Sequence, residues 1–133
     1  MSEQQLEQEI QAKGLTAPRI TPDHIESCIT GEYYFTADKA VQACMLQQDD
    51  ATILTGMQSE LRLLTFCVLV LQNGFTATGE SACASPENFD PEIGRKIARQ
   101  NAREKIWALE GYLLKQRLHE ASQIPVDATL SAV

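Results

Sequence analysis

Two β-prone runs with a polar turn between them dominate the middle of the chain. The first, Phe66–Leu71, is apolar at every position. Asn73-Gly74 follows it, and this dipeptide is favoured in two-residue hairpin turns because both central residues of a type I′ turn have positive φ. The pattern predicts an antiparallel β-hairpin in which Val70 lies opposite Ala77.

That register gives the first strand two apolar faces, with Phe66, Val68 and Val70 on one and Cys67, Leu69 and Leu71 on the other. One helix does not cover both faces of a two-stranded sheet. Either the short N-terminal helices or another subunit must cover the second face. The second alternative predicts a homo-oligomer, most simply a dimer.

A long helix is predicted after the hairpin. Asp90-Pro91-Glu92 supplies an N-cap, a proline at the first helical position and a carboxylate in the first turn. The helix should reach about His119 and bury one apolar stripe. Gly94 is expected to allow close contact with the small residues of the second strand. The stripe comprises Ile93, Ile97, Ala98, Ala102, Ile106, Leu109 and Leu113.

Weaker signals precede the hairpin. Thr21 and Pro22 begin a predicted helix over residues 20–30, and a second short helix is expected from Ala37 to about Leu46. Between them, Tyr33-Tyr34-Phe35 is interpreted as a core cluster, with an oligomer contact as the alternative. Residues 47–55 are polar and indicate a loop.

These elements predict an α+β fold in which an antiparallel β-hairpin is packed by a long C-terminal helix, with short N-terminal helices. We expect a single α+β domain over residues 20–120. Residues 1–19 are expected to be a mobile segment, with a short amphipathic helix as the alternative, and residues 121–133 a disordered tail. No apolar run approaches the roughly 20 residues of a membrane span, so no membrane association is expected.

Charge is distributed unevenly along the 133 residues, whose formal net charge is −7. Acidic residues outnumber basic ones by ten to three up to Glu60, and the two are equal at eight each from Leu61 onward. An acidic protein repels phosphate, so general nucleic-acid binding is not expected. Any anion site must therefore come from a local cluster.

The four cysteines have no metal-binding spacing and are expected to be buried free thiols. A zinc site from His24, Cys28 and two distant cysteines is the alternative; no metal or cofactor is predicted. Ser81 or Cys83 would need a nearby base as a nucleophile, and His24 and His119 are the only histidines. A non-enzymatic protein is therefore expected.

The most suggestive cluster lies on the long helix. Arg95, Arg99 and Arg103 are spaced i, i+4, i+8 and so share one face, beside Lys96. Guanidinium groups donate paired hydrogen bonds to phosphate, so this face predicts a nucleotide site, with an aromatic ring such as Phe75, Phe89 or Trp107 stacking on a base. The alternative is a solvated face whose arginines pair with acidic residues.

Glu80 and Ser81 form a second candidate. They close the hairpin ahead of a helix start, where polar side chains and free N–H groups meet anions. Ordinary turn chemistry is the alternative.

Three stretches resemble an uncharacterised family of small tailed-phage proteins, named for gene product 49 of a coliphage and gene 66 of a Shigella phage. They are ITPDHIESCITGEYYFTADKA (Ile20–Ala40), TFCVLVLQNGFTATGESACASPENFD (Thr65–Asp90) and EIGRKIARQNAREKIWALEGYLLKQRL (Glu92–Leu118). The resemblance implies a phage or prophage protein located in the host cytoplasm. It implies no catalytic residue.

Three functions fit these observations. The first is a non-enzymatic counter-defence binder of a small anionic, nucleotide-like ligand, acting through the arginine face. The second is an acidic interaction protein that inhibits a host protein by imitating nucleic-acid phosphates. The third is a structural or assembly accessory of the virion.

Overall fold

The computed structural model describes residues 1–47 and 58–124, and the predicted polar loop and most of the predicted C-terminal tail lie outside these ranges. The described residues form an α+β fold, as predicted, with four α-helices and a three-stranded antiparallel sheet. In chain order the elements are α1 (Glu3–Ala12), α2 (Pro22–Cys28), β1 (Ile29–Thr36), α3 (Ala37–Gln47), β2 (Leu64–Leu71), β3 (Thr76–Ala82) and α4 (Pro91–Ser122). Short 3-10 helices lie at Ser59–Leu63 and Pro86–Asn88.

The chain forms two compact units. One consists of Met1–Glu26 with Ile106–Val133, and the other is Ser27–Lys105. The second unit contains the sheet, α3 and the first half of α4.

The hairpin of β2 and β3 forms, but with a three-residue loop in place of the predicted two-residue loop. Leu71 N–H donates to the Phe75 carbonyl at 2.8 Å, and Gly74 N–H donates to the Leu71 carbonyl at 2.9 Å. Gly74 has a φ of +87°, as in a type I turn followed by a left-handed residue. Ala77 therefore pairs with Leu69, and the predicted register is wrong by one residue.

This shift of one residue changes which side chains share a face, because successive residues of a strand point to opposite faces. The small residues Ala77 and Gly79 lie on the buried face, paired with Leu69 and Cys67. Because the side chains of β3 on this face are small, a helix can lie close to the strand.

The third strand, β1, occupies residues for which the sequence predicted a helix end and a core cluster. It pairs antiparallel with β2, so β2 is the central strand of the order β1-β2-β3. Tyr33 is 62% exposed and Phe35 is 41% exposed, so their predicted place in the core is wrong. Aromatic and β-branched residues favour strands, and this preference prevails directly after Cys28, where α2 ends.

Helix α4 begins and extends as predicted. Asp90 Oδ1 accepts hydrogen bonds from the N–H groups of Glu92 at 2.9 Å and Ile93 at 3.1 Å, which caps the helix. The predicted buried stripe is only partly right, because four of its members are exposed: Ile93, Ile97, Leu109 and Leu113. The buried positions in the first half of the helix are Gly94, Ala98 and Ala102.

Helix α4 buries its face of small residues because it approaches β3 closely. A Cβ atom placed on Gly79 would lie 2.3 Å from both Ala98 O and Ala102 N, so the helix backbone is in contact with the glycine. Larger side chains do not fit at this distance. The predicted close contact between the helix and the small residues of β3 is confirmed at Gly79, but its partners on the helix are Ala98 and Ala102. The predicted partner, Gly94, lies over Thr65 of β2 instead.

The other face of the sheet carries a row of apolar side chains, here called the aromatic face (Tyr33, Phe35, Phe66 and Val68), of which Tyr33 and Phe35 are exposed and the other two half-buried. The rings of Phe35 and Phe66 stack with their centroids 5.3 Å apart. Tyr33 pairs with Val68 on the neighbouring strand. The dimer that the sequence analysis expects to cover a second sheet face stays a prediction.

In the unit that contains the chain's N-terminus, α1 begins with a capping box between Ser2 and Gln5. Arg19 donates to the Glu7 carboxylate, and His24 Nε2 lies 3.0 Å from Glu110 Oε2. No helix in the described part of the chain is long and apolar enough to cross a membrane.

Candidate functional site

The candidate site is a cleft of about 220 Å³ between β1 and the first turns of α4. Strands β1 and β2 supply one side, and the helix supplies the other. The lining residues, which define what is called the Arg95 cleft below, are Tyr34, Phe35, Thr36, Thr65, Pro91 and Arg95.

Arg95 brings the cleft its positive charge. It follows Gly94, which faces the sheet, so the helical turn of about 100° per residue directs the Arg95 side chain along the edge of the helix. Arg95 makes no ion pair within residues 1–47 and 58–124. Its guanidinium group is therefore available to an anionic partner.

Thr65 forms the floor of the cleft. It is 3% exposed, and its Oγ1 has no hydrogen-bond partner among the described residues. The backbone of α4 lies directly above, since a Cβ atom on Gly94 would be 2.9 Å from Thr65 Oγ1. A buried hydroxyl without a partner costs about 1–3 kcal/mol of stability, so native proteins rarely retain one without a reason.

A polar network extends from the cleft wall to the next turn of α4. Tyr34 Oη donates to Glu32 Oε2 at 3.1 Å. The other oxygen, Glu32 Oε1, accepts from Arg99 Nε at 2.9 Å and from Arg99 Nη2 at 2.7 Å. Glu32 thus joins the cleft residue Tyr34 to the second arginine of the predicted cluster.

Burial dominates the ionisation of two groups in this network. It raises the pKa of Tyr34 to about 12, and the hydrogen bond to Glu32 acts in the same direction. Burial also raises the pKa of the Cys67 thiol. Both groups are consequently neutral near pH 7, so Tyr34 is a hydrogen-bond donor and Cys67 is not a thiolate.

The members of the predicted arginine cluster interact with different partners. Lys96 lies 3.3 Å from Glu92, Arg99 is held by Glu32, and the half-buried Arg103 has interactions of its own. Arg95 is the member of the cluster that lines the cleft. The alternative interpretation, in which the arginines pair with acidic residues, therefore describes Arg99 correctly.

The remaining predicted site residues are dispersed. Phe75 is 56% exposed at the hairpin loop, whereas Thr65 lies at the other end of β2, about 20 Å away at roughly 3.3 Å per residue. Glu80 points to the face opposite Thr65, and its carbonyl accepts from Asn101 Nδ2 at 2.8 Å. Ser81 pairs with Thr65 across the sheet and so lies next to the cleft floor.

Sequence reasoning missed five of the six lining residues: Tyr34, Phe35, Thr36, Thr65 and Pro91. The alternation of Thr65 with the buried residues Cys67 and Leu69 was a usable signal for its burial. The pairing of Thr36 with Thr65 depends on strand β1, and the sequence analysis predicted a helix end and a core cluster there instead of a strand.

The cysteines are all free thiols, as predicted. Cys28 and Cys67 are buried and Cys83 is half-buried. Cys44 is exposed, so the prediction that all four thiols are buried is wrong for this residue.

One comparison with known proteins identifies relatives. The model of the family described as "Phage protein (N4 Gp49/phage Sf6 gene 66) family" matches residues 20–118, about three quarters of the chain. No curated protein and no solved structure gives a match. The matched range contains the whole Arg95 cleft.

Proposed function

Because the chain belongs to the N4 Gp49/phage Sf6 gene 66 family of phage proteins, we propose that it is a non-enzymatic accessory protein that binds a small anionic, nucleotide-like ligand in the Arg95 cleft. Sequestering a nucleotide signal of host defence is the role such binding would serve in an infected cell. The observation that carries the proposal is that Arg95 and Thr65 line the same cleft: among the described residues, Arg95 has no ion-pair partner and the buried Thr65 hydroxyl has no hydrogen-bond partner.

The charge of the site supports an anion. The protein as a whole carries a formal charge of −7, which favours intramolecular partners for each arginine. Arg99 has such a partner in Glu32, yet Arg95, one helical turn earlier, makes no ion pair with the described residues. A guanidinium group forms strong, paired hydrogen bonds with phosphate or carboxylate oxygens.

The hydroxyl of Thr65 supports a ligand rather than solvent alone. Its Oγ1 is buried beneath Gly94, and Thr65 is one of the residues that line the cleft. A ligand oxygen that accepts from this hydroxyl would remove the cost of its missing hydrogen bond. The binding free energy would then include the hydrogen bond from the Thr65 hydroxyl to the ligand.

The test is thermal unfolding of the full chain with nucleoside phosphates, cyclic dinucleotides and ADP-ribose derivatives. A ligand at 100-fold over its dissociation constant adds about 2.7 kcal/mol, which raises the Tm of a domain of this size by several degrees. Arg95→Ala should remove the shift. Lys96→Ala is the matched control, because it deletes a neighbouring charge that pairs with Glu92 and does not line the cleft, and it should leave the shift intact.

A flat panel, or a shift that Arg95→Ala retains, rejects the proposal. The interaction protein and the virion accessory then become the leading candidates. Pull-down from host lysate at low and high salt tests the first, and mass spectrometry of purified virions tests the second.

Thr65→Val separates a binding role of the hydroxyl from a structural one. The substitution keeps the side-chain shape and removes the unpaired oxygen, so we expect the free energy of unfolding of the free protein to rise by about 1 kcal/mol. We expect the ligand-induced Tm shift to decrease at the same time. Urea unfolding without ligand and thermal unfolding with ligand measure the two effects; a loss of stability in the variant would show that Thr65 is a structural residue.

A further inference from the structure

We infer that the Arg95 cleft recognises the phosphate end of its ligand and leaves the base outside, so that it takes sugar phosphates and nucleotides irrespective of the base. The inference rests on the proposed function and adds the class of ligand. It depends on which side chains line the cleft, on the faces of the strands that carry them, and on the volume of the cleft.

The polar side chains of the cleft suit a phosphate and a sugar. Thr36 and Thr65 both line the cleft and are paired across β1 and β2, so their Cβ atoms lie about 5 Å apart on one face of the sheet. A hydroxyl group both donates and accepts, and a guanidinium group donates in pairs to oxyanions. The two hydroxyls and the Arg95 guanidinium therefore match phosphate oxygens and sugar hydroxyls.

The same side chains lack the groups that usually distinguish one base from another. Proteins read the edges of exposed bases with hydrogen-bonding side chains, of which amides and carboxylates offer the most directional donors and acceptors. None of the described residues that line the cleft carries an amide or a carboxylate side chain. The hydroxyl of Tyr34, which lines the cleft, already donates to Glu32 Oε2 at 3.1 Å. The lining therefore favours no particular base.

Stacking of a base on an aromatic ring has little support in the cleft. The Phe35 ring stacks on Phe66 on the aromatic face, with centroids 5.3 Å apart, and so points away from the face that carries Tyr34. Tyr34 is itself tied to Glu32 through its hydroxyl. The rings that the sequence analysis proposed for stacking are not among the described lining residues: Phe75, Phe89 and Trp107.

The volume of the cleft leads to the same class of ligand. The cleft measures about 220 Å³, whereas pockets that enclose a drug-sized ligand measure about 300–1,000 Å³. A space of this size encloses a phosphate group and part of the sugar next to it. The base of a nucleotide then stays in solvent, where its identity contributes little to the affinity.

The experiment is isothermal titration of the full chain with AMP, GMP, CMP, UMP and ribose 5-phosphate, and with adenosine as the ligand without a phosphate. We expect the four nucleotides to bind within about threefold of one another, and ribose 5-phosphate to bind within about tenfold of them. Adenosine should bind more weakly than AMP by a factor of about ten or more, because it has no group for the Arg95 guanidinium.

Thr36→Val tests the hydroxyl pair. Removing one hydrogen bond should weaken the binding of all five phosphates by a similar factor of about three to ten. Thr78→Val is the matched control, because Thr78 pairs with Val68 on the aromatic face and should leave every affinity unchanged. A Thr36→Val variant that binds the phosphates as tightly as wild type would contradict the inference.

The outcomes separate this inference from the proposed function. If one base binds about tenfold or more above the others, or if AMP binds and ribose 5-phosphate does not, the inference is wrong and the anion site stands. The same conclusion follows if a cyclic dinucleotide raises the Tm while none of the five phosphates binds. If no phosphate ligand binds, or if Arg95→Ala leaves the affinities unchanged, the proposed site and the inference both fail. Far-ultraviolet circular dichroism of each variant establishes that it is folded.

Discussion

Tyr34 shows how one side chain connects stability with the candidate site. Its ring lines the Arg95 cleft, and its hydroxyl fixes the carboxylate that holds Arg99. Burial and this hydrogen bond both favour the neutral phenol, and they raise its pKa to about 12. The fold consequently binds the phenolic proton more tightly than the unfolded chain does.

A pH dependence follows from this shift. An unfolded tyrosine has a pKa near 10, so the contribution of Tyr34 to stability should be fully present below pH 10 and be lost as the pH rises through about 12. We expect the free energy of unfolding of wild type to decrease towards that of Tyr34→Phe over this range. Urea unfolding of both proteins between pH 8 and 12 measures the difference; a difference that stays constant across the range would contradict the assignment.

At the scale of elements, the contact between α4 and β3 determines the architecture around the cleft. Gly79 receives the helix backbone, and the row of Gly94, Ala98 and Ala102 faces the sheet. Arg95 and Arg99 adjoin this row, which places them beside β1: Arg95 lines the cleft with β1 residues, and Arg99 contacts Glu32. The small residues of this contact therefore position the basic side chains of the site, although they carry no polar or charged group themselves.

Gly79→Ala tests this contact. Its Cβ atom would meet the backbone of α4 at 2.3 Å, so the helix must move, and we expect destabilisation of about 1–3 kcal/mol or more. Gly111→Ala is the control, because nothing lies within 4 Å of the added Cβ atom and alanine favours a helix by up to about 1 kcal/mol. Urea unfolding should give effects of opposite sign; a Gly79→Ala variant as stable as wild type would refute the close approach.

At the scale of the whole molecule, the aromatic face is the apolar surface on which the expected dimer depends. Tyr33 and Phe35 are substantially exposed, and Phe35 stacks on Phe66 rather than entering the core. Large exposed apolar patches are typical of interaction surfaces. A second copy on this face would bury these rings.

Sedimentation velocity at micromolar concentration tests the dimer. We expect a species of twice the 14.7 kDa chain mass, and we expect Phe35→Ser to convert it to monomer. Phe75→Ser removes another exposed aromatic ring, at the hairpin loop, and should leave the dimer intact. A wild-type monomer in this concentration range would exclude the prediction.

The sequence by itself determined the features that depend on neighbouring residues. The α+β class, the start of α4 at Asp90-Pro91 and the existence of the hairpin all follow from local capping, turn and periodicity signals. The family was also recognisable from residues 20–118, and the helical spacing that puts Arg95 beside Arg99 was evident. These signals involve residues that are close together along the chain, so they can be recognised without knowledge of the fold.

Only the tertiary structure decided the hairpin register, the third strand and the composition of the cleft. The difference between a two-residue and a three-residue loop is small and local, yet it determines which side chains of β3 face the helix. The pairing of β1 with β2 joins residues about thirty to forty positions apart and brings Glu32 to Arg99 and Tyr34 to the cleft. Such contacts depend on packing across the whole sheet. Helical spacing alone therefore predicted the same role for Arg95, Arg99 and Arg103, whereas the structure places Arg95 in the cleft and pairs Arg99 with Glu32.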